Sequence, residues 1–243
     1  MEWFADLYDE FRMRTGFGGV SEAETLKDVD FICDVLELHE SAKVLDLFCG
    51  AGRHSLEMAR RGYSATGIEL NPDYLKLGKL SAKGISNAPN FIQGDVRFID
   101  FGEGYDAAII MFQSFGYFSD SEDRLVLSKV FNALKTKGKF LIEILNRDWI
   151  LKNFVEVQES MVDRIRVVEK REFDVLTSRN NFYIQRHEKD GIVTKSGSWR
   201  LYSAHEIKNL LEGIGFRFAG GYDNLEKEPL TKDTRLMRMV FEK

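Results

Sequence analysis

Lys43–Leu70 reads KVLDLFCGAGRHSLEMARRGYSATGIEL and is laid out as one β-α-β unit. Val44, Leu45, Leu47 and Phe48 form an apolar run of buried-strand length. Gly50 and Gly52 then permit a tight turn at which a ligand can approach the backbone closely. Arg53 to Arg61 follows as a helix, with Leu56, Met58 and Ala59 as good helix formers and Gly62 as the stop. A second strand runs from Ser64 to Leu70 and carries Glu69 near its end. In open α/β sheets such a unit sets the glycine loop at the carboxyl end of the first strand, where ligands bind.

Two ligands compete for this loop. The pattern G-x-G-x-x-G holds pyrophosphate, but here position 55 is Ser. Asp46, four residues before Gly50, would repel a pyrophosphate and attract a ligand carrying an ammonium and a sulfonium. Glu69 is a bidentate acceptor suited to two vicinal ribose hydroxyls. An acid about 20 residues past the loop serves the ribose of NAD as well. Glu69 therefore indicates a ribose, and Asp46 with Ser55 opposes a dehydrogenase.

D-L-F-C-G-A-G followed by a strand ending I-E-L resembles the first two motifs of the class I S-adenosylmethionine-dependent methyltransferases. The resemblance extends from Lys43 to about Leu145 and again from Leu201 to Phe241. It implies a Rossmann-like α/β fold: a mostly parallel seven-stranded sheet with a terminal antiparallel hairpin. It also implies S-adenosyl-L-methionine as methyl donor and S-adenosyl-L-homocysteine as product, held by Asp46, Gly50, Ala51, Gly52, Glu69 and Leu70. A Gly94-Asp95-Val96 turn after a short third strand, Asn90 to Gln93, matches the position at which the family sets a carboxylate against the adenine amino group and the next backbone N–H against a ring nitrogen. Trp3, Phe4, Leu7, Tyr8 and Phe11 predict a short N-terminal helix before Gly16, Gly18 and Gly19. Tyr8-Asp9 matches a pair with which similar methyltransferases close over the cofactor. Arg12 or Arg14 suits the cofactor carboxylate, with Arg14 the assigned residue.

Ser21 predicts the start of a helix reaching about Leu38, and Asn71-Pro72 one reaching about Lys83. Tyr105 to Met111 is a fourth strand buried on both faces. It ends in Phe112-Gln113-Ser114-Phe115-Gly116-Tyr117-Phe118, where the family places groups that touch donor and acceptor. Gln113 is assigned to the cofactor, Ser114 and Tyr117 to the substrate. N-P-P-[YFW], used on planar nitrogens, is absent. So is the Pro-Cys pair of the pyrimidine C5 methylases, which need a covalent thiol. DLFCGAG also resembles the loop of some RNA uridine methylases, and the lack of a second catalytic Cys counts against that subclass. A helix from Asp120 to Leu134, a Lys137-Gly138 turn and a fifth strand, Lys139 to Leu145, lead to Asn146-Arg147-Asp148-Trp149. Asn146 and Arg147 are substrate candidates there.

From about Val155 to Tyr202 the β-α rhythm gives way to alternating apolar and charged residues. Asn180-Asn181 and Asp190-Gly191 read as turns. This predicts a small antiparallel sheet of three or four strands. The expected division is 1–154 with 203–243 as the methyltransferase domain and 155–202 as an inserted lid, substrate or dimer subdomain. Trp199 and Arg200, near the junction, are substrate candidates. Ser203 and Glu206 form a capping box for the last helix. Tyr117, Asn146 and His205 are the catalytic candidates, and no residue stands out as a general base.

The 243 residues are 44% hydrophobic and carry a net charge of −5. That suffices for a full core and gives no electrostatic help toward nucleic acid. Cys33 and Cys49 have neither metal-ligand nor disulfide spacing. No run reaches membrane-spanning length and no signal peptide is visible, so a cytoplasmic location is expected. These features favour a small-molecule methyltransferase acting on N or O. An RNA or protein methyltransferase, or a non-catalytic cofactor-binding module, are the alternatives. A homodimer through the insertion is an added expectation.

Overall fold

The structure, a computed structural model, describes residues 2–15 and 19–243. The expected glycine break at Gly16 and Gly18 lies outside them. The core is a seven-stranded sheet of order β10-β11-β5-β4-β1-β2-β3, formed by β1 (Lys43–Leu47), β2 (Ser64–Glu69), β3 (Asn90–Gln93), β4 (Tyr105–Ile110), β5 (Leu134–Leu145), β10 (Arg217–Tyr222) and β11 (Leu236–Glu242). β1 pairs in parallel with both β2 and β4, while β11 runs antiparallel to β5 and β10. The order reverses between β1 and β4, so the crevice above their carboxyl ends is the topological switch point.

Alternation along the strands assigns the two faces. Val44, Ala107, Ile109 and Leu141 pack with Val29, Ile32 and Met58, from helices α3 (Glu22–Val35) and α4 (Arg53–Arg60). Leu45, Leu47, Ala108 and Ile110 face the other way, onto α6 (Asp120–Ala133) and α8 (Ala204–Glu212). The helix starts follow their caps. Ser21, Ser119 and Ser203 each close a full capping box, and Asn71 accepts from the first N–H groups of α5 (Pro72–Ser81).

The second sheet is a four-stranded antiparallel meander, β6 (Val157–Val162), β7 (Ile165–Asp174), β8 (Arg179–Glu188) and β9 (Gly191–Arg200). Its first turn is Asp163-Arg164, both at positive φ, the backbone a two-residue hairpin turn demands. Lys189-Asp190 make the last turn, next to the expected signal. Asn180-Asn181 are not a turn: both lie in β8, opposite Trp199 and Ser198, and the chain reverses at 175–178. There the Asp174 carboxylate accepts from the Leu176 and Thr177 N–H groups and supplies the turn chemistry.

Three further differences separate expectation from structure. The N-terminal helix is two, α1 (Trp3–Leu7) and α2 (Glu10–Thr15), broken at Tyr8-Asp9. Lys137-Gly138 form a bulge inside β5 rather than a turn before it, with the register jumping between Leu134 and Lys139. A short helix, α7 (Arg147–Lys152), follows β5, capped by Asn146. No helix among the described residues is long and apolar enough to cross a membrane.

Candidate active site

The loop after β1 is left-handed at Phe48, Gly50 and Gly52. For a phenylalanine this backbone costs about 1–2 kcal/mol. Its ring lines a cavity of about 270 Å³ and meets Tyr117 edge-on at 5.8 Å, which offsets part of that cost. Gly52 caps α4, and a side chain there would strike Phe91 at 2.5 Å.

Glu69, at the tip of β2, faces the cavity. The Gly50 N–H donates to its Oε2 at 3.0 Å and the Asn71 N–H to its Oε1 at 2.8 Å. Each oxygen keeps a lone pair for a sugar hydroxyl. Burial raises this carboxyl, and the backbone N–H groups oppose the shift. Asp46 is placed differently from the expectation. Period-2 alternation turns it toward α4, where the Ser55 hydroxyl donates to it at 2.6 Å, so it supports the loop from beneath and is absent from the cavity wall. Burial raises its carboxyl too.

Beyond β3, Gly94, Asp95 and Val96 line the cavity. Asp95 is gripped by Arg97, whose Nη2 donates to Oδ2 at 2.8 Å. Buried Arg97 also donates to Glu122 of α6 and to Glu2, and lies over the Phe118 ring at 4.5 Å. It joins the cavity wall, α6 and the N-terminus; the only sequence signal was its place two residues after Asp95.

The loop after β4 begins with two left-handed residues, Phe112 and Gln113. The Phe112 N–H donates to the buried Glu143 carboxylate at 3.0 Å, and Arg238 pairs with Glu143 at 2.9 Å. This bend brings Ser114, Tyr117 and Phe118 into the cavity. It sends Gln113 to a separate, much smaller depression with Trp199 and Arg200.

The roof is the N-terminal segment. Phe4, Ala5 and Tyr8 line the cavity, and the Tyr8 and Tyr117 hydroxyls are 2.6 Å apart. Burial raises both phenols, so both are neutral near pH 7. The Asn71 side-chain amide donates to the Tyr8 carbonyl at 2.8 Å.

Of the residues expected in the site, Tyr8, Gly50, Glu69, Leu70, Asp95, Val96, Ser114 and Tyr117 meet around this one cavity. Ala51 is outside its wall. Arg14 points away, paired with exposed Asp163 at 2.8 Å. Arg12 instead lies near enough to Tyr8 and Tyr74 to bear on both phenols. Asn146 is spent on the α7 cap and the Thr234 carbonyl. Arg147 of α7 and Arg200 of β9 both pair with Glu206 of α8, so the second pair ties the inserted sheet to that helix. His205 is exposed and bonded to Asn209. Trp199 packs tilted against Tyr117 at 5.7 Å, behind the cavity wall. The described lining includes three carboxylic acids, Glu69, Asp73 and Asp95, and no basic residue. Such a wall favours a cationic ligand with a sugar and disfavours a phosphate.

Comparison with known proteins gives the same picture. Residues 44–138 match the family described as "Methyltransferase domain". The chain is 26% identical over 208 residues to a Bacillus subtilis (strain 168) protein named as a methyltransferase, YqeM, covering 82% of this chain and 83% of that one. A shorter stretch is 39% identical to a 23S rRNA (uracil(747)-C(5))-methyltransferase of Pyrococcus horikoshii, over 35% of this chain and 19% of that protein. Among solved structures, a S-adenosylmethionine-dependent methyltransferase from Clostridium acetobutylicum ATCC 824 superposes with a TM-score of 0.79 at 18% identity, covering 98% of this chain and 97% of that one. CalS10, an amino pentose methyltransferase from Micromonospora echinaspora solved with S-adenosylmethionine bound, superposes with a TM-score of 0.69 at 20% identity, covering 96% of each chain. At these identities the structural likeness is one of fold.

Proposed function

We infer, from the premise that the chain is a class I S-adenosylmethionine-dependent methyltransferase, that its acceptor is a small molecule methylated at nitrogen or oxygen. The observation that carries this is the roofed, acid-walled cavity, closed over by Phe4, Ala5 and Tyr8. A segment laid across the mouth suits a compact acceptor better than a polymer strand. Sugar and glycine N-methyltransferases among the similar proteins support the same reading.

The residues present fit the donor. Glu69 offers two acceptor oxygens for the sugar, Asp95 and Val96 stand where the adenine edge would lie, and Gly50 leaves room for the chain of the amino acid. Arg12 is the better partner for the donor carboxylate, since Arg14 is occupied by Asp163. The donor supplies a methyl group already bonded to a sulfonium, so no side-chain nucleophile is required. What the protein does is align and exclude water. Tyr8 and Tyr117 keep their protons at neutral pH and can orient an acceptor lone pair without deprotonating it. An amine acceptor therefore reacts as its free base.

Methylation at pyrimidine C5 is the competing reading, because of the shared loop. It needs a thiolate. Burial pushes the Cys49 thiol well up, and the neighbouring Asp46 and Glu69 charges push it further. Cys33 lies on α3. A reduced, cytosolic setting suits these two free cysteines.

The test is titration with S-adenosylhomocysteine followed by a methyl-transfer screen over amino sugars, amino acids and RNA. Binding near micromolar Kd, about −8 kcal/mol, with transfer to a small amine or hydroxyl, is expected. Absence of binding, or transfer to RNA alone, would overturn the reading.

A further inference from the structure

The inserted sheet has an inner face built for the N-terminal segment. The register puts Phe182 opposite Gly197, Ile184 opposite Lys195 and Arg186 opposite Val193, so all six residues share one face. Trp3 packs there edge-on against Phe182 at 5.5 Å and against Trp199 at 6.0 Å. Gly197 makes the room: a Cβ at 197 would lie 2.3 Å from the indole. Lys195 donates to Asp6 at 2.6 Å.

The strongest tie is Arg186. Its guanidinium forks onto Asp9, with Nη1 donating to Oδ1 at 3.0 Å and Nη2 to Oδ2 at 2.6 Å. The Arg186 side chain is only 8% exposed and lies over the Phe11 ring at 4.4 Å. Its Nε faces Glu188 at 3.1 Å. Asp9 directly follows Tyr8, at the break between α1 and α2. Fixing Asp9 therefore fixes the direction in which Tyr8 leaves the helix. From the opposite side Asn71 holds the Tyr8 carbonyl and, through its own N–H, the Glu69 carboxylate.

We propose that Arg186 is a positioning residue for the methyl donor: acting through Asp9, it sets Tyr8 over the cavity, so that the inserted sheet governs donor affinity although it contributes nothing to the cavity wall. This rests on the donor assignment made above. The sheet then serves as the far end of a chain running from Arg186 through Asp9, Tyr8 and Asn71 to Glu69. Removing one partner of a largely buried, hydrogen-bonded pair leaves the other uncompensated, so the chain should fail as a unit.

The experiment compares wild type with Arg186→Met, Asp9→Asn, the double variant and Arg186→Lys. It measures the Kd of S-adenosylhomocysteine, amide hydrogen exchange over residues 3–15 without ligand, and Tm. Each single variant should weaken binding about tenfold and speed exchange in the N-terminal segment. The double variant should weaken it about tenfold, not a hundredfold, and Arg186→Lys should recover part of the loss. A Kd and exchange pattern equal to wild type, or fully additive losses, would overturn the proposal. So would a lower Tm with unchanged Kd, the mark of a merely structural pair. If Arg186→Met does not fold, Asp9→Asn and Arg186→Lys carry the test. If wild type itself fails to bind S-adenosylhomocysteine, the donor assignment falls, and hydrogen exchange still decides whether the pair holds the segment.

Discussion

The floor and the roof of the cavity are made in opposite ways. Gly50 and Glu69 belong to one β-α-β unit and meet through a strand pairing that the unit itself dictates. The roof joins residues far apart in the chain, as in Asp9 with Arg186, 177 positions apart. Local geometry secures the floor with backbone hydrogen bonds. The roof depends on a few side chains from a sheet with its own separate hydrogen-bond ladder. The floor is therefore expected to be rigid and to carry most of the donor affinity, and the roof to add a smaller share and set how long the donor stays.

Breaking the floor should have the largest effect. Glu69→Ala removes a lining carboxylate held by two backbone N–H groups and should weaken S-adenosylhomocysteine binding about a hundredfold, ~2.7 kcal/mol by calorimetry, and lower Tm because the Gly50 and Asn71 N–H groups lose their acceptor. Breaking the roof should cost less. Gly197→Ala drives a methyl into Trp3, a strain of about 1–3 kcal/mol, and should raise the Kd about tenfold and lower Tm. Tyr117→Phe separates the functions further: it removes one hydroxyl of the 2.6 Å pair and should lower kcat about tenfold while the Kd for S-adenosylhomocysteine stays within about threefold.

The smallest effect is expected at the joint between the two regions. Asp123 of α6 accepts from the Tyr202 hydroxyl at 2.9 Å, where the chain returns from the inserted sheet. Burial pushes its carboxyl up to about 7, against the opposing pull of Tyr202 and Arg179. The folded value lies above the unfolded one of about 4, so this group's contribution to stability is fully present in acid. It is lost as pH rises to about 7 and is level beyond. Asp123→Asn should flatten that slope, and its Tm relative to wild type should climb between pH 4 and pH 7 and then plateau.

The same division explains what the sequence disclosed. The Ser203–Glu206 capping box, the Ser21 and Asn71-Pro72 helix starts and the glycine loop are read within a few residues, because the partners that satisfy them are that close. Asn146, Arg147 and His205 stood at promising strand or helix ends, yet Thr234, Glu206 and Asn209 claim them, and only tertiary structure brings the first two of those claimants in. Arg14 and Arg12 differ by half a helical turn, which sends Arg14 to Asp163 and leaves Arg12 near the Tyr8 and Tyr74 phenols, and that direction depends on the break at Tyr8-Asp9. The reversal at 175–178 was hidden by Val175 and Leu176, apolar yet exposed, while the Asn180-Asn181 signal belonged to a strand. The period-2 rule was available for Asp46, and applied to β1 it places that carboxylate on the helix side.

Gly197 records, in one missing carbon, a residue at the far end of the chain. Shortening Trp3 to alanine would leave a slot with the outline of an indole, walled by Phe182 and Trp199. Free indole added to such a variant should slip into the gap and restore function in proportion to its concentration, giving a dose-dependent chemical switch where nature used a covalent plug.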